Sequence, residues 1–226
     1  MNMQLRRAAG SICRLGVLFF VTAGYMPSSS GQIGNLDDAA IAVYANRYGE
    51  DARQRLFDWQ SMMSRNGSET VQRKKEITNE FFNRIPWLSD SEHWGKADYW
   101  ATPMEMLGSN GGDCEDYSIA KYFTLIGMEI PGSRLLISYV RAPALEQSHM
   151  VLAYYPTPDA DPLILDNLVG EIRRGSERPD LIPVYSFNGN GLWVAVQRGL
   201  GKNVGDASRL AQWRDVLRRM ERKQSQ

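Results

Sequence analysis

The apolar period of this chain changes once, at Pro131-Gly132, and that change limits the fold more than any other feature. Before it, apolar residues recur every three to four positions, the spacing of helix faces. Ile41, Tyr44, Ala45 and Tyr48 mark a first helix, and Leu56, Phe57, Trp59 and Met63 a second that ends at Asn66-Gly67. Val71, Ile77, Phe81 and Phe82 mark one side of a third, with Ser68 as its expected cap and Pro86 as its stop. Residues 87–110 are rich in Trp and Gly and read as loop, with a short helix after Pro103. Gly111-Gly112-Asp113 then opens a helix to about Met128, with Asp113 as N-cap and Asp116 completing a capping box.

After Pro131-Gly132 the pattern alternates. Strands are expected over 135–141, 149–155, 163–167, 183–187 and 192–197, parted by turn residues such as Asn188-Gly189-Asn190-Gly191. A last helix, from about Asp206 to Arg222, turns Leu210, Trp213, Val216, Leu217 and Met220 inward. Helices first and strands later predict an α+β fold with an antiparallel sheet.

The N-terminus reads as an address rather than as part of that fold. Arg6, Arg7 and Arg14 precede the apolar run Leu15 to Ala23, and Val21-Thr22-Ala23 is a usable cleavage site. The run is about half the roughly 20 apolar residues that a membrane span needs, so a signal peptide over residues 1–23 is expected rather than an anchor. A polar, flexible segment follows over 24–34, and a single domain over 35–226. Export from the cytoplasm follows from this reading.

Composition matters here for what it excludes. The 226 residues carry 26 basic and 26 acidic side chains, so no net charge draws the chain to nucleic acid or to an anionic membrane. Three arginines and no acid leave with the signal, which makes the mature chain slightly acidic. Cys13 leaves too. Of the two cysteines only Cys114 stays, which rules out an internal disulfide or a multi-thiolate zinc site.

Cys114 falls in the first turn of the helix that Asp113 opens. Free N–H groups and the helix dipole favour a thiolate there, and the same amides can hold an oxyanion. The two glycines before it allow close backbone approach. His149, in an expected strand, and Asp166, at the end of the next, would complete a nucleophile–base–orienter set if the strands are neighbours. His93, in the Trp-rich loop, is the lesser candidate. The bland readings are a core cysteine, a half-buried strand histidine and a turn aspartate.

Asp113, Glu115 and Asp116 crowd the same turn and oppose a thiolate. Calcium, a hard cation, would relieve them; otherwise they are a capping box with a solvent-facing Glu115.

These residues resemble a family. Gly111 to Tyr122 (GGDCEDYSIAKY), His149 to Tyr155 (HMVLAYY) and Leu165 to Leu168 (LDNL) are similar to the bacterial transglutaminase-like cysteine proteinases. So are His93-Trp94-Gly95, Asp98 to Pro103 and Pro183 to Gly189, and the likeness spans about 35–200. The Cys-His-Asp order alone is shared with transglutaminases and arylamine acetyltransferases. The resemblance implies a papain/transglutaminase-like fold with Cys114 as nucleophile, His149 as base and acid, and Asp166 as orienting carboxylate. It implies calcium (Ca2+) at Asp113 and Glu115, with Asp116 as a further candidate ligand. It also implies a large surface adhesin as substrate, cut near its N-terminus at a di-alanine site, so that cells disperse from a biofilm. The implied regulator is an inner-membrane cyclic di-GMP receptor whose periplasmic domain sequesters the protease. Two other readings use the same residues: an acyltransferase that resolves the thioester with an amine, and a binding module in which the set is idle.

Overall fold

The computed structural model describes residues 36–145, 147–194 and 199–222. The expected signal peptide, the segment over 24–34 and the end of the strand expected over 192–197 lie outside the described residues.

Three helices come first: α1 (Asp38–Tyr48), α2 (Glu50–Asn66) and α3 (Val71–Phe82). The first two bury the expected faces, Ile41, Tyr44 and Ala45 on α1 and Ala52, Leu56, Trp59 and Met63 on α2. α3 departs from expectation. Its cap is Thr70, whose hydroxyl accepts the Arg73 N–H at 3.2 Å, rather than Ser68. Its buried face is Lys74, Lys75, Thr78, Asn79 and Phe82, while Val71 is exposed and Ile77 and Phe81 are only partly covered. Specific partners turn this polar face inward. Lys74 Nζ donates to the Met128 carbonyl at 2.7 Å, and Lys75 Nζ sits 4.6 Å from the Tyr154 ring centre. Their aliphatic stems cover apolar surface while the charges are met.

The Trp-rich stretch holds two short helices, α4 (Asp90–His93) and α5 (Pro103–Ser109), the second opened by a Thr102–Glu105 capping box. The central helix α6 (Cys114–Gly127) follows, with every residue from Asp116 to Leu125 buried. Seven strands form one antiparallel sheet among the described residues: β1 (Leu135–Ala142), β2 (Gln147–Tyr154), β3 (Leu163–Leu165), β4 (Arg173–Arg174), β5 (Ile182–Asn188), β6 (Gly191–Val194) and β7 (Lys202–Gly205). Their order is β4-β3-β2-β1-β5-β6-β7. The two-residue β4 and the four-residue β7 are additions to the expected set, too short for an alternation to show in the sequence.

The period of two divides each strand between two cores. Leu135, Ile137, Leu152 and Tyr154 join the helices in the main core. Leu136, Val140, Val151, Ala153 and Ile164 form a smaller cluster on the opposite face. The last helix, α7 (Ala211–Arg222), presses Trp213, Val216 and Met220 onto the main core. Trp213 meets the rings of Tyr122, Phe123 and Phe187 at centroid distances of 5.6, 5.6 and 5.3 Å. No helix among the described residues is long and apolar enough to cross a membrane.

Candidate functional site

The site is assembled where the N-terminus of α6 meets β2. α5 ends at Asn110 in the left-handed region (φ 58°), a conformation that Asn tolerates, and the chain reverses into Gly111-Gly112. Both glycines are required by neighbours within the chain. A Cβ on Gly111 would lie 2.5 Å from Leu88 Cδ1, and one on Gly112 would lie 2.6 Å from Asp116 Oδ2. Gly112 also pairs with Trp87, and its carbonyl accepts the Leu88 N–H at 3.0 Å. Asp113 caps α6 and Asp116 closes the capping box, as the sequence predicts. Cys114 is thereby the first residue of the helix, next to β2.

Antiparallel pairing of β2 with β3 brings Leu152 opposite Leu165, so His149 and Asp166 meet at the end of the pair. His149 Nε2 and Asp166 Oδ1 are 2.8 Å apart, and both residues are buried. Since Asp166 is ionised, Nε2 is the donating nitrogen and Nδ1 is left as an acceptor. Burial pushes the Asp166 acid up, but His149, the Leu168 N–H and Arg178 more than offset it and hold its pKa at about 2. Arg178 is the member of this group that sequence reading missed. Its Nη2 donates to Asp166 Oδ2 at 2.8 Å.

Cys114 and His149 line one cavity of about 280 Å³, together with Glu115, Asp98, Trp100, Tyr139, Ser148, Met150 and Tyr185. Leu210, just before α7, and Gln212, in its first turn, close its wall. No hydrogen bond joins the two among the described residues. The thiol donates instead to Glu115 Oε2 at 3.1 Å. Burial, the Glu115 carboxylate and Asp113 all push the thiol far above its ordinary range, and the Met150 N–H pulls only weakly the other way. His93 stands apart from this cavity: its Nε2 pairs with Ser109 Oγ at 2.7 Å and its ring meets Trp94 edge-on. It is a structural histidine.

The three acids of the first turn do not stand alone. Asp90, at the start of α4, joins Asp113 and Asp116, with one oxygen of each within 4.8 Å of the others. Asp98 joins Asp90 and Glu115 in the same way. Burial pushes the Asp113 and Asp116 acids well above the carboxylate range, and the mutual repulsion of the group adds to it. Burial likewise lifts Asp90 to about 6, against the pull of the Tyr99 N–H. Among the described residues, Asp90 Oδ1 and Asp113 Oδ1 are buried without a hydrogen-bond partner. Asp116 is placed differently, since it accepts the N–H groups of Ala101 at 2.6 Å and Asp113 at 3.3 Å. Uncompensated carboxyl oxygens packed this closely fit a hard divalent cation with oxygen ligands. Asp90 was not legible in the sequence as part of this group, because nothing local ties it to Asp113.

Comparison with known proteins agrees with this geometry. The sequence profile of the bacterial transglutaminase-like cysteine proteinases (BTLCP) matches residues 40–199. Among solved structures, Legionella pneumophila LapG is 39% identical with a TM-score of 0.71, covering 81% of this chain and 96% of that one. Its calcium-bound form is 40% identical with a TM-score of 0.71, covering 80% and 98%. Its EGTA-treated form is 40% identical with a TM-score of 0.72, covering 80% and 96%. None of the curated proteins compared with the chain matches it. With the profile spanning most of the chain and the LapG fold shared across it, this protein belongs to the bacterial transglutaminase-like cysteine proteinases.

Proposed function

We propose that this cysteine proteinase is a periplasmic, calcium-dependent endopeptidase that cuts the N-terminal region of a large surface adhesin at a di-alanine site. Its activity would release the adhesin and disperse a biofilm, under the control of a cyclic di-GMP receptor whose periplasmic domain sequesters it. The observation that carries the catalytic reading is the shared cavity: a cysteine at the first position of α6 beside a buried, hydrogen-bonded His149–Asp166. The adhesin and receptor rest on the family resemblance. A cavity walled by Trp100, Tyr139 and Tyr185 suits small residues on either side of the scissile bond.

In this mechanism the Cys114 thiol gives its proton to His149 Nδ1 as Sγ attacks the peptide carbonyl carbon. First-turn amides of α6 receive the oxyanion. The carbon–nitrogen bond breaks as the imidazolium protonates the leaving amine, and Asp166 holds the ring throughout. Water, deprotonated by His149, then cleaves the thioester and restores the thiol.

Asp90, Asp98, Asp113 and Glu115 are the residues that would hold calcium. A bound cation supplies fixed positive charge that offsets the acids around the nucleophile. Glu115, if it served as a ligand, would be less available to hold the thiol proton it now accepts, which would leave Cys114 to His149.

Cleavage of the adhesin's N-terminal fragment by wild type and by Cys114→Ala, each with and without EGTA, tests the proposal. Wild type with calcium is expected to cut; Cys114→Ala and the chelated enzyme are not. Calcium at 100 times its dissociation constant should stabilise the fold by about 2.7 kcal/mol, read as a rise in Tm. Undiminished cleavage by Cys114→Ala would sink the thiol mechanism, and full activity in EGTA the calcium dependence.

A further inference from the structure

Asp166 has two carboxylate oxygens, and the fold assigns them to different tasks. Oδ1 takes His149 Nε2 at 2.8 Å and the Leu168 N–H at 3.0 Å. Oδ2 takes Arg178 Nη2 at 2.8 Å. Arg178 is only 5% exposed, which is unusual for a guanidinium and calls for partners. It has two. The same Nη2 reaches Asp180 Oδ2 at 2.8 Å, and Nε reaches Asp180 Oδ1 at 3.0 Å. Asp180 keeps 45% of its side chain exposed. The order is therefore Asp180 at the surface, Arg178 behind it, Asp166 within, and His149 at the cavity.

The segment that carries Arg178 is anchored separately from the sheet interior. Gly175 N–H donates to the Pro162 carbonyl at 2.8 Å, and Ser176 binds Asp161 through its N–H at 3.0 Å and its hydroxyl at 2.5 Å. Pro179 then restricts the backbone of Arg178 itself. The fork itself is gripped by Asp180, through Nε and Nη2, so that Nη2 is presented to Asp166 Oδ2 from one fixed direction, which a single mobile ammonium would not provide. Lys121, the other cation in the field of Asp166, makes no hydrogen bond to it.

We propose that Arg178, braced by Asp180, is the positioning residue that holds the Asp166 carboxylate in the orientation His149 requires. This rests on the catalytic reading given above. A buried ion pair is weak evidence of a stabilising role, since similar burial by apolar groups is often as stable. The division of the two oxygens points to geometry instead.

The test uses the mature chain with calcium, as wild type and as Arg178→Lys, Arg178→Met and Asp180→Asn. Two readouts separate positioning from folding. One is the split of kcat against KM on the adhesin N-terminal fragment. The other is the low-field proton NMR signal of the His149 Nε2–H, with His93, the only other imidazole, as internal control. Arg178→Met should lose roughly 10- to 100-fold in kcat, as when other outer-sphere partners are removed, with KM unchanged and the His149 signal lost. Arg178→Lys should recover part of both, and Asp180→Asn should show the smallest loss. If Arg178→Met does not fold, the other two variants decide the matter, because each keeps a cation beside Asp166. Wild-type kcat and an unmoved His149 signal in both of them would overturn the proposal, as would a change in KM alone. If Cys114→Ala still cleaves, the thiol mechanism fails, yet the NMR signal needs no turnover and still reports the Asp166–His149 geometry.

Discussion

Lys121 illustrates how much a single residue can carry. It lies on α6 with no exposed surface, and its Nζ has no hydrogen-bond partner among the described residues. The Tyr117 ring centre is 5.8 Å away. Burial lowers its pKa from 10.5 to about 7, and the nearby Asp166 charge only partly opposes that. A buried donor without a partner costs about 1–3 kcal/mol, so Lys121→Met should stabilise the fold by that amount near neutral pH. The gain should depend on pH. Between about 7 and 10.5 the unfolded chain binds the proton and the folded chain does not, so Lys121 makes wild-type stability rise with pH across that window. Lys121→Met removes that slope, and its advantage should be largest at or below pH 7 and shrink as the pH rises toward 10.5. Denaturant unfolding across that range measures it, and an advantage that grows with pH would contradict the account. The Lys was visible in the sequence, but its burial was not, because it occupies a helix whose entire circumference is covered.

At the scale of elements, the turn into α6 does the positioning. Gly111-Gly112-Asp113 was legible as a helix start because capping chemistry is local. The reason for the glycines was not legible. They make room for Leu88, brought in by packing, and for the Asp116 carboxylate, folded back by the capping box. Gly112→Ala should cost about 1–3 kcal/mol through overpacking. It should also push Asp116 out of its capping position and weaken calcium binding, measurable by calorimetry. Unchanged calcium affinity would show that Asp116 has no part in arranging the acids. α3 gives the contrary lesson. Its apolar side was legible, yet the face that packs is the polar one, because a backbone carbonyl from the end of α6 and a tyrosine ring on β2 meet its two lysines.

Across the whole molecule, the cavity depends on parts far apart in the chain. Its floor comes from α6 and β2, its walls from β1 and β5, and one side from the start of α7. Trp213 fixes α7 to the core with no exposed surface of its own. Trp213→Ala should cost about 3–5 kcal/mol. Activity should also fade at a lower temperature than the bulk of the fold melts, because Leu210 and Gln212 leave with the helix. Parallel thermal profiles of cleavage and circular dichroism check this, and coincident profiles would show that α7 does not loosen by itself.

By itself, the sequence determined what short-range physics controls. It set the longer helices and five of the strands, where α6 starts, that Cys114 stands in its first turn, and, through its motifs, the family. Tertiary structure alone decided what depends on residues distant in sequence. Strand order put Asp166 beside His149, loop anchoring put Arg178 on the second Asp166 oxygen, and α4 supplied Asp90 to the acids around Cys114. Charges interact through space, whereas periodicity and capping are read along the chain, so the electrostatic environment of the nucleophile exists only once the chain has closed around it.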